Sequence, residues 1–195
     1  RNSRRQTSFK KYISGIHEFY GASTVSGGAN LIEIGTVRRL PTDPELPGDG
    51  NSTAIFAWYV KNYAGSLTAV DISEESIKNC RENLSSQNLM SHYVNLFCED
   101  GLNFLKEYKD TIHGIYIDAL DYDDKEGHGK DNSAKFHLEA FKLAEKNLIK
   151  GSIIMFDDIV GPNYQGKAEL AVPYALSTEN YEIVYQDYQI VLRKK

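Results

Sequence analysis

Cysteine is scarce in this 195-residue chain: Cys80 and Cys98 stand 18 residues apart, with no Cys-x-x-Cys pair and no histidine at ligand spacing. That excludes a disulfide framework or a zinc knuckle and suits reduced thiols in a cytoplasmic protein. No apolar run approaches the ~20 residues that cross a bilayer, so no membrane partner is expected. Positive charge is in deficit, 22 Lys and Arg against 27 Asp and Glu, for a net of −5. Such a chain lacks the basic field that holds nucleic acid. No nucleic-acid partner is therefore expected, and a small neutral or cationic ligand fits better. Proline is rare, and three of the five, Pro41, Pro44 and Pro47, crowd into one stretch. There is no signal peptide and no opening methionine, as in a segment of a longer natural protein.

What is present is ordinary for a globule, 41% hydrophobic and 25% charged. At this length roughly 70% of the surface can be buried, enough for one core without staples and too little for two ordinary domains. Residues 1–11 carry Arg1, Arg4, Arg5, Lys10 and Lys11 and read as a solvated terminus, a basic arm being the alternative. Phe9, Tyr12, Ile13, Ile16 and Tyr20 recur at helical spacing over 8–20. Short apolar runs at 30–35, 67–71, 93–98, 113–118 and 152–157 read as strands. Helical patterns lie between them at 54–64 (capped by Ser52 and Thr53), from Ser73 through Leu84, at 101–108 and at 133–150. This alternation predicts a doubly wound, mostly parallel sheet. A helical stretch over 167–177 precedes two further strands, 181–186 and 189–193. So short a link joins only antiparallel strands, so the sheet ends in a hairpin.

Ligands of such sheets lie beyond the carboxyl ends of the strands, where the winding reverses. The loops there hold Glu33-Ile-Gly35 and, after an insertion over 37–49, Gly48-Asp-Gly50-Asn-Ser52-Thr53. Glycine lets backbone approach a ligand, and a helix N-terminus offers free N–H groups. Asp71 follows Gly50 by 21 residues, the distance at which an acid accepts from ribose hydroxyls; helix capping is its alternative. Asp100, before Gly101, can accept from an adenine amine or cap the next helix. In the insertion, Arg38 and Arg39 can bind an anionic group, or the segment is a surface loop without consequence.

On Glu33-Ile-Gly35 with Gly50-x-Ser52-Thr53, Thr68-Ala-Val-Asp71 and Glu99-Asp100-Gly101, the chain resembles the class I S-adenosylmethionine-dependent methyltransferases over about residues 30–195. The resemblance implies an α/β, Rossmann-like, doubly wound seven-stranded sheet with a C-terminal antiparallel hairpin, preceded by an N-terminal arm and helix over 1–29. It places Glu33 and Gly35 at the methionine end of the cofactor and Ser52 and Thr53 by its carboxylate. It also places Asp71 and Ile72 at the ribose, Asp100 and Gly101 at adenine, and Asp118 at the reacting end.

Asp118 ends the fourth strand, and Asp157 and Asp158 end the fifth. Adjacent strands bring such acids together, where like charges need raised pKa values or a cation. Oxygen donors of this kind suit Mg, Mn or Ca; capping of the next turn is the alternative. Ile117-Asp118 with Phe156-Asp157-Asp158 is similar to the cation-dependent small-molecule O-methyltransferases of the catechol, caffeoyl-CoA and macrocin types, which implies Asp118, Asp157 and Asp158 as metal ligands. Where the catechol type has a lysine, this chain has Asp121. A base is then sought in the loop over 121–132, among His128, Asp121 and Lys130. His137 reads as core or interface, and His17 as a candidate to approach the site from the first helix. No Asn/Asp-Pro-Pro-aromatic motif follows the fourth strand, which disfavours transfer to amide or adenine nitrogens. The expected activity is methyl transfer to a hydroxyl of a small molecule, with S-adenosylmethionine and a divalent cation, in a monomer or homo-oligomer. Aminopropyl transfer on the same fold, suggested by the acidic 118–124 loop, and a non-catalytic nucleoside-binding module are the alternatives.

Overall fold

The computed structural model describes residues 2–20, 28–38, 51–122 and 129–195, the side chains of 2, 3, 19 and 129–131 apart. Helix α1 spans Asn2–Tyr20. Strands and helices then alternate: β1 Ala29–Ile34, α2 Ser52–Tyr63, β2 Gly65–Asp71, α3 Glu74–Ser86, β3 Val94–Cys98, α4 Gly101–Glu107, β4 Ile112–Ile117, α5 Gly129–Glu145 and β5 Leu148–Phe156. Helix α6 (Ala171–Ser177), β6 (Tyr181–Gln186) and β7 (Ile190–Lys194) close the chain. The seven strands form one sheet in the order β3-β2-β1-β4-β5-β7-β6. The first five run parallel, while β7 lies antiparallel between β5 and β6. This is the expected α/β sheet with its terminal hairpin, and the winding reverses between β1 and β4.

Several element boundaries differ from those read in the sequence, among them α6, which starts at Ala171 rather than 167, and β2, which starts at Gly65 rather than Leu67. Helix α1 begins at Asn2 rather than Ser8, because the buried stripe of Phe9, Tyr12, Ile16 and Tyr20 continues one turn back to Arg5. Ser52 and Thr53 open α2 rather than cap it; the capping position is Asn51, held by the Asn83 side-chain amide at 2.7 Å. Helix α5 begins at Gly129 and ends at Glu145, whereas the reading was 133–150. Strand β5 starts four residues early, at Leu148, which pairs with Ile112 before a register shift.

One face of the sheet packs on α1 and α2 through Phe9, Tyr12, Phe56 and Tyr116. Their edge-to-face rings lie 5.6 to 5.8 Å apart for Phe9–Tyr116, Phe9–Phe56 and Phe56–Tyr116, contacts worth about 1 kcal/mol each beyond their burial. The other face packs on α5 and α6 through Phe141, Phe156 and Tyr181. Among the described residues no helix is long and apolar enough to cross a membrane.

Candidate active site

The reversal point between β1 and β4 is built on Gly35, whose φ of 91° lies where L side chains are strained. A Cβ there would stand 2.5 Å from the Asp118 carbonyl oxygen. Backbone bonds from Gly35 N to Val70 O and from Asp118 N to Ile34 O, both 2.8 Å, tie the ends of β2, β1 and β4 together. Beside them, Asp71 Oδ2 accepts from Thr36 N at 2.9 Å and Thr36 Oγ1 at 3.2 Å, and Oδ1 accepts from Ser73 N at 2.9 Å. Ile72 next to it is 73% exposed, an apolar side chain with no protein cover. At the end of β3, Asp100 caps α4 by accepting from Asn103 N at 2.9 Å, and Gly101 is buried against Ile34. The structure thus brings Gly35, Asp71, Ile72, Asp100, Gly101 and Asp118 to one end of the sheet. Gly50 lies outside the described residues.

Glu33, Ser52 and Thr53 turn the other way. All three are buried, and Ser52 Oγ donates to Glu33 Oε1 at 2.5 Å. Their side chains therefore face the interior. Burial pushes the Glu33 carboxyl up to about 8 against the Ser52 and Thr53 hydroxyls, with Asp118 and Asp71 adding to the rise. A carboxyl raised in this way binds more protons folded than unfolded, so its contribution is lost as pH rises from the ordinary carboxyl range to about 8. Buried His137, pushed down to about 3 by burial and then by Lys167, acts oppositely, but only below the ordinary histidine value. Between pH 6.5 and 8 the carboxyls dominate. The unfolding free energy is expected to fall across that interval by on the order of 1 kcal/mol per pH unit from Glu33, and the melting temperature with it. Scanning calorimetry of Glu33→Gln, which keeps a neutral side chain, should show a shallower fall.

Asp118, Asp157 and Asp158 converge, one oxygen from each lying within 4.8 Å of the others. Asp157 is fully buried, its Oδ1 accepting from Asp158 N at 2.8 Å and its Oδ2 lying 2.8 Å from the Tyr116 hydroxyl. That hydroxyl is also 3.0 Å from Asp118 Oδ2 and accepts from Gln189 Nε2 at 3.1 Å. Two basic side chains that the sequence reading left out of the site complete it. Lys167, 2% exposed, sets its ammonium 2.5 Å from Asp118 Oδ1 and 3.1 Å from Asp158 Oδ2. Arg5 of α1 lies 3.0 Å from Asp157 Oδ2 and 3.8 Å from Asp158 Oδ1, and its guanidinium rests over the Tyr188 ring, whose hydroxyl donates to Asp158.

The charges follow from this packing. Burial works against the Lys167 ammonium, but Asp118 and Asp158 outweigh it and raise its pKa. Burial likewise opposes the Asp158 carboxylate, which Lys167, Tyr188 and Arg5 still hold below its ordinary value. Burial pushes Asp157 up to about 8, with Asp118 and Asp158 adding to it and Arg5 and Lys167 opposing. The cluster therefore sets the cations of Lys167 and Arg5 among three acids, of which Asp157 is the one pushed toward its neutral form by burial. Three carboxylates are the donor chemistry of a hard divalent cation, yet the space among them holds an ammonium and the third acid is taken by a guanidinium. The residues present do not fit an added divalent cation in this arrangement.

The expected proton acceptors do not assemble beside this cluster among the described residues. Asp121 is held by Arg38 at 2.6 Å in an exposed ion pair, so Arg38 has a partner within the chain. His128 and the side chain of Lys130 lie outside the described residues. His137 is interior, its Nδ1–H donating to Ser133 O at 2.7 Å. His17 meets Tyr63 at 4.9 Å and Tyr59 at 6.4 Å edge to face, so the residue that α1 sends to the site is Arg5 and not His17. The apolar stripe at 9, 12, 16 and 20 already pointed to position 5. Lys167 carried no local signal beyond the need of three acids for a cation.

Residues 48–167 match the spermine/spermidine synthase domain. The chain belongs to that family. The match runs from Gly48 to Lys167, so it leaves out Glu33 and Gly35 and takes in Asp71, Asp100, Asp118, Asp121, Asp157 and Asp158. No curated protein matches this spermine/spermidine synthase domain chain in sequence. Solved structures resemble it in fold. One is a Streptococcus mutans protein assigned as a methyltransferase and solved with SAH, at 15% identity, 97% of each chain covered and TM-score 0.65. Another is an rRNA methylase from Streptococcus thermophilus, at 15% identity, 93% of each chain and TM-score 0.58. CalS11, a calicheamicin methyltransferase, matches at 13% identity over 98% of this chain and 79% of its own, with TM-score 0.65. Identities this low speak for the class I methyltransferase fold alone.

Proposed function

We propose that this chain binds S-adenosylmethionine at the β1–β4 reversal and transfers its methyl group to a hydroxyl of a small molecule. The observation that carries the reading is the gathering of Gly35, Asp71, Asp100 and partly open Asp118 at the carboxyl ends of four parallel strands. Asp71 faces the ribose, Ile72 and Asp100 flank the base, and Asp118 meets the reacting end. In the transfer, an acceptor oxygen attacks the methyl carbon, the carbon–sulfur bond breaks with its electrons staying on sulfur, and S-adenosylhomocysteine leaves. The hydroxyl proton passes to a base at the crevice, where Asp118 is the nearest carboxylate. Positioning supplies most of the acceleration in such a displacement. The net charge of −5 supports a small acceptor over an RNA.

The family match favours a second reading, aminopropyl transfer from decarboxylated S-adenosylmethionine to an amine. Such an acceptor is cationic and needs free acids, whereas Asp118, Asp157 and Asp158 are paired with Lys167 and Arg5, and Asp121 with Arg38. Calorimetry and mass spectrometry separate the two. Micromolar S-adenosylmethionine binding, weakened about tenfold or more by Asp71→Ala, and methylated products from a panel of alcohols, diols and phenols are expected. Methylthioadenosine released from the decarboxylated cofactor with putrescine would establish the second reading, and no binding of either cofactor would sink both.

A further inference from the structure

We propose that Lys167, seconded by Arg5, stands where a divalent cation would stand in this site, so that Asp118, Asp157 and Asp158 work without a metal. The Lys167 ammonium bridges carboxylates from two different strand ends, Asp118 after β4 and Asp158 after β5, at 2.5 and 3.1 Å. A shared metal ion would make the same link. The third acid is engaged as well, through Arg5 at 3.0 Å and the Tyr116 hydroxyl at 2.8 Å. A divalent ion among these oxygens would meet two positive charges at contact range, where repulsion in a partly desolvated site is strong.

The backbone delivers the lysine to this place. After Asp158 the chain folds back on itself, with Val160 N bonding to Gln165 O at 2.8 Å and Ile159 bridging Gly166. Gly166, at φ 120°, packs so closely on Asp158 that a Cβ would lie 1.9 Å from its carbonyl oxygen. Residue 167 therefore starts beside the acids it neutralises, and its side chain is enclosed to 2% exposure. The ammonium is a positioning group: it fixes Asp118 Oδ1 while the Tyr116 hydroxyl faces Oδ2, which sets the orientation of that carboxylate.

This deepens the methyl-transfer reading and rests on it for one consequence. Without a chelating ion the acceptor needs no pair of neighbouring oxygens, and a single hydroxyl suffices.

The test is Mn²⁺ titration followed by electron paramagnetic resonance on the full chain and on Lys167→Ala and Lys167→Gln. The unaltered protein is expected to leave Mn²⁺ free at millimolar concentration. Each folded variant should gain one site, roughly tenfold tighter or better, that disappears when Asp158→Asn is added. Binding by the unaltered protein that Asp158→Asn abolishes overturns the inference, as does failure of the folded variants to gain a site. If the alanine variant does not fold, the glutamine variant, which keeps most of the chain length, carries this arm. EDTA should leave turnover unchanged, and loss of turnover restored by Mg²⁺ counts against the inference. Because Mn²⁺ binding is read without substrate, a failed methyl-transfer screen bears on the proposed function and not on this inference.

Discussion

Lys167→Met is expected to lower the unfolding free energy by about 3–5 kcal/mol, the cost of leaving a buried charge without its partner. The methionine fills the channel of the lysine stem, so lost packing contributes little, and the charge of the ammonium is what goes. Asp118 and Asp158 then face each other with Arg5 as the remaining cation of the cluster, 3.8 Å from Asp158. For a chain of this size each kcal/mol moves the melting temperature by roughly 2–4 °C, so a fall on the order of 10 °C should appear in a thermal scan. Urea denaturation supplies the free energy. The effect is expected to be non-additive: in Lys167→Met combined with Asp158→Asn, the second change removes one of the stranded charges and recovers part of the loss. A loss below about 1 kcal/mol, typical of solvent-screened pairs, would show that the cluster is open to water and that the lysine is dispensable.

Gly35→Ala is the second large effect. The residue holds φ at 91°, so an alanine is strained at the outset by about 1–3 kcal/mol. The added methyl would also sit 2.5 Å from the Asp118 carbonyl oxygen, a backbone atom just after β4 that no rotamer change can move. Relief therefore requires β1 and β4 to part at the one point where the cofactor is proposed to lie. The variant should lose more than about 3 kcal/mol in denaturant and bind S-adenosylmethionine at least tenfold more weakly by calorimetry. Gly161→Ala is the matched control. There the new methyl meets the Gln165 side chain at 2.4 Å, which can swing away, and the expected cost is below about 1 kcal/mol.

Most of the fold was legible because its signals are local. Apolar runs such as 30–35 and 152–157 beside glycines, and stripes such as Ala134, His137, Leu138, Phe141 and Ala144 in the fifth helix, carry their own periodicity. The link between the last two strands, read as two residues and found as three at 187–189, is too short for anything but an antiparallel hairpin. Boundaries were less legible where pairing decides them: Leu148 to Lys150 reads as the tail of a helix until Ile112 supplies a strand for Leu148 to pair with. Serine and threonine at 52 and 53 read as caps or ligand contacts, but the buried Glu33 carboxyl claims the Ser52 hydroxyl.

The candidate site divides in the same way. Its acids could be found from the chain because each ends a strand, and strand ends of a doubly wound sheet meet at the reversal point whatever the loops do. The charges that answer those acids were less legible: the apolar stripe of the first helix turns position 5 inward without naming its partner, and Arg5 and Lys167, which meet at one cluster, lie 162 positions apart. Only the packing of α1 across β5 and the fold-back of Asp158 on Gly166 bring them to one point. The alternation of apolar segments decides which side chains share an end of the sheet. Which ionic partners those side chains find, and so whether three carboxylates await a metal or already hold their cations, is settled by long-range chain closure, where the cost of burying each charge selects the arrangement that neutralises it.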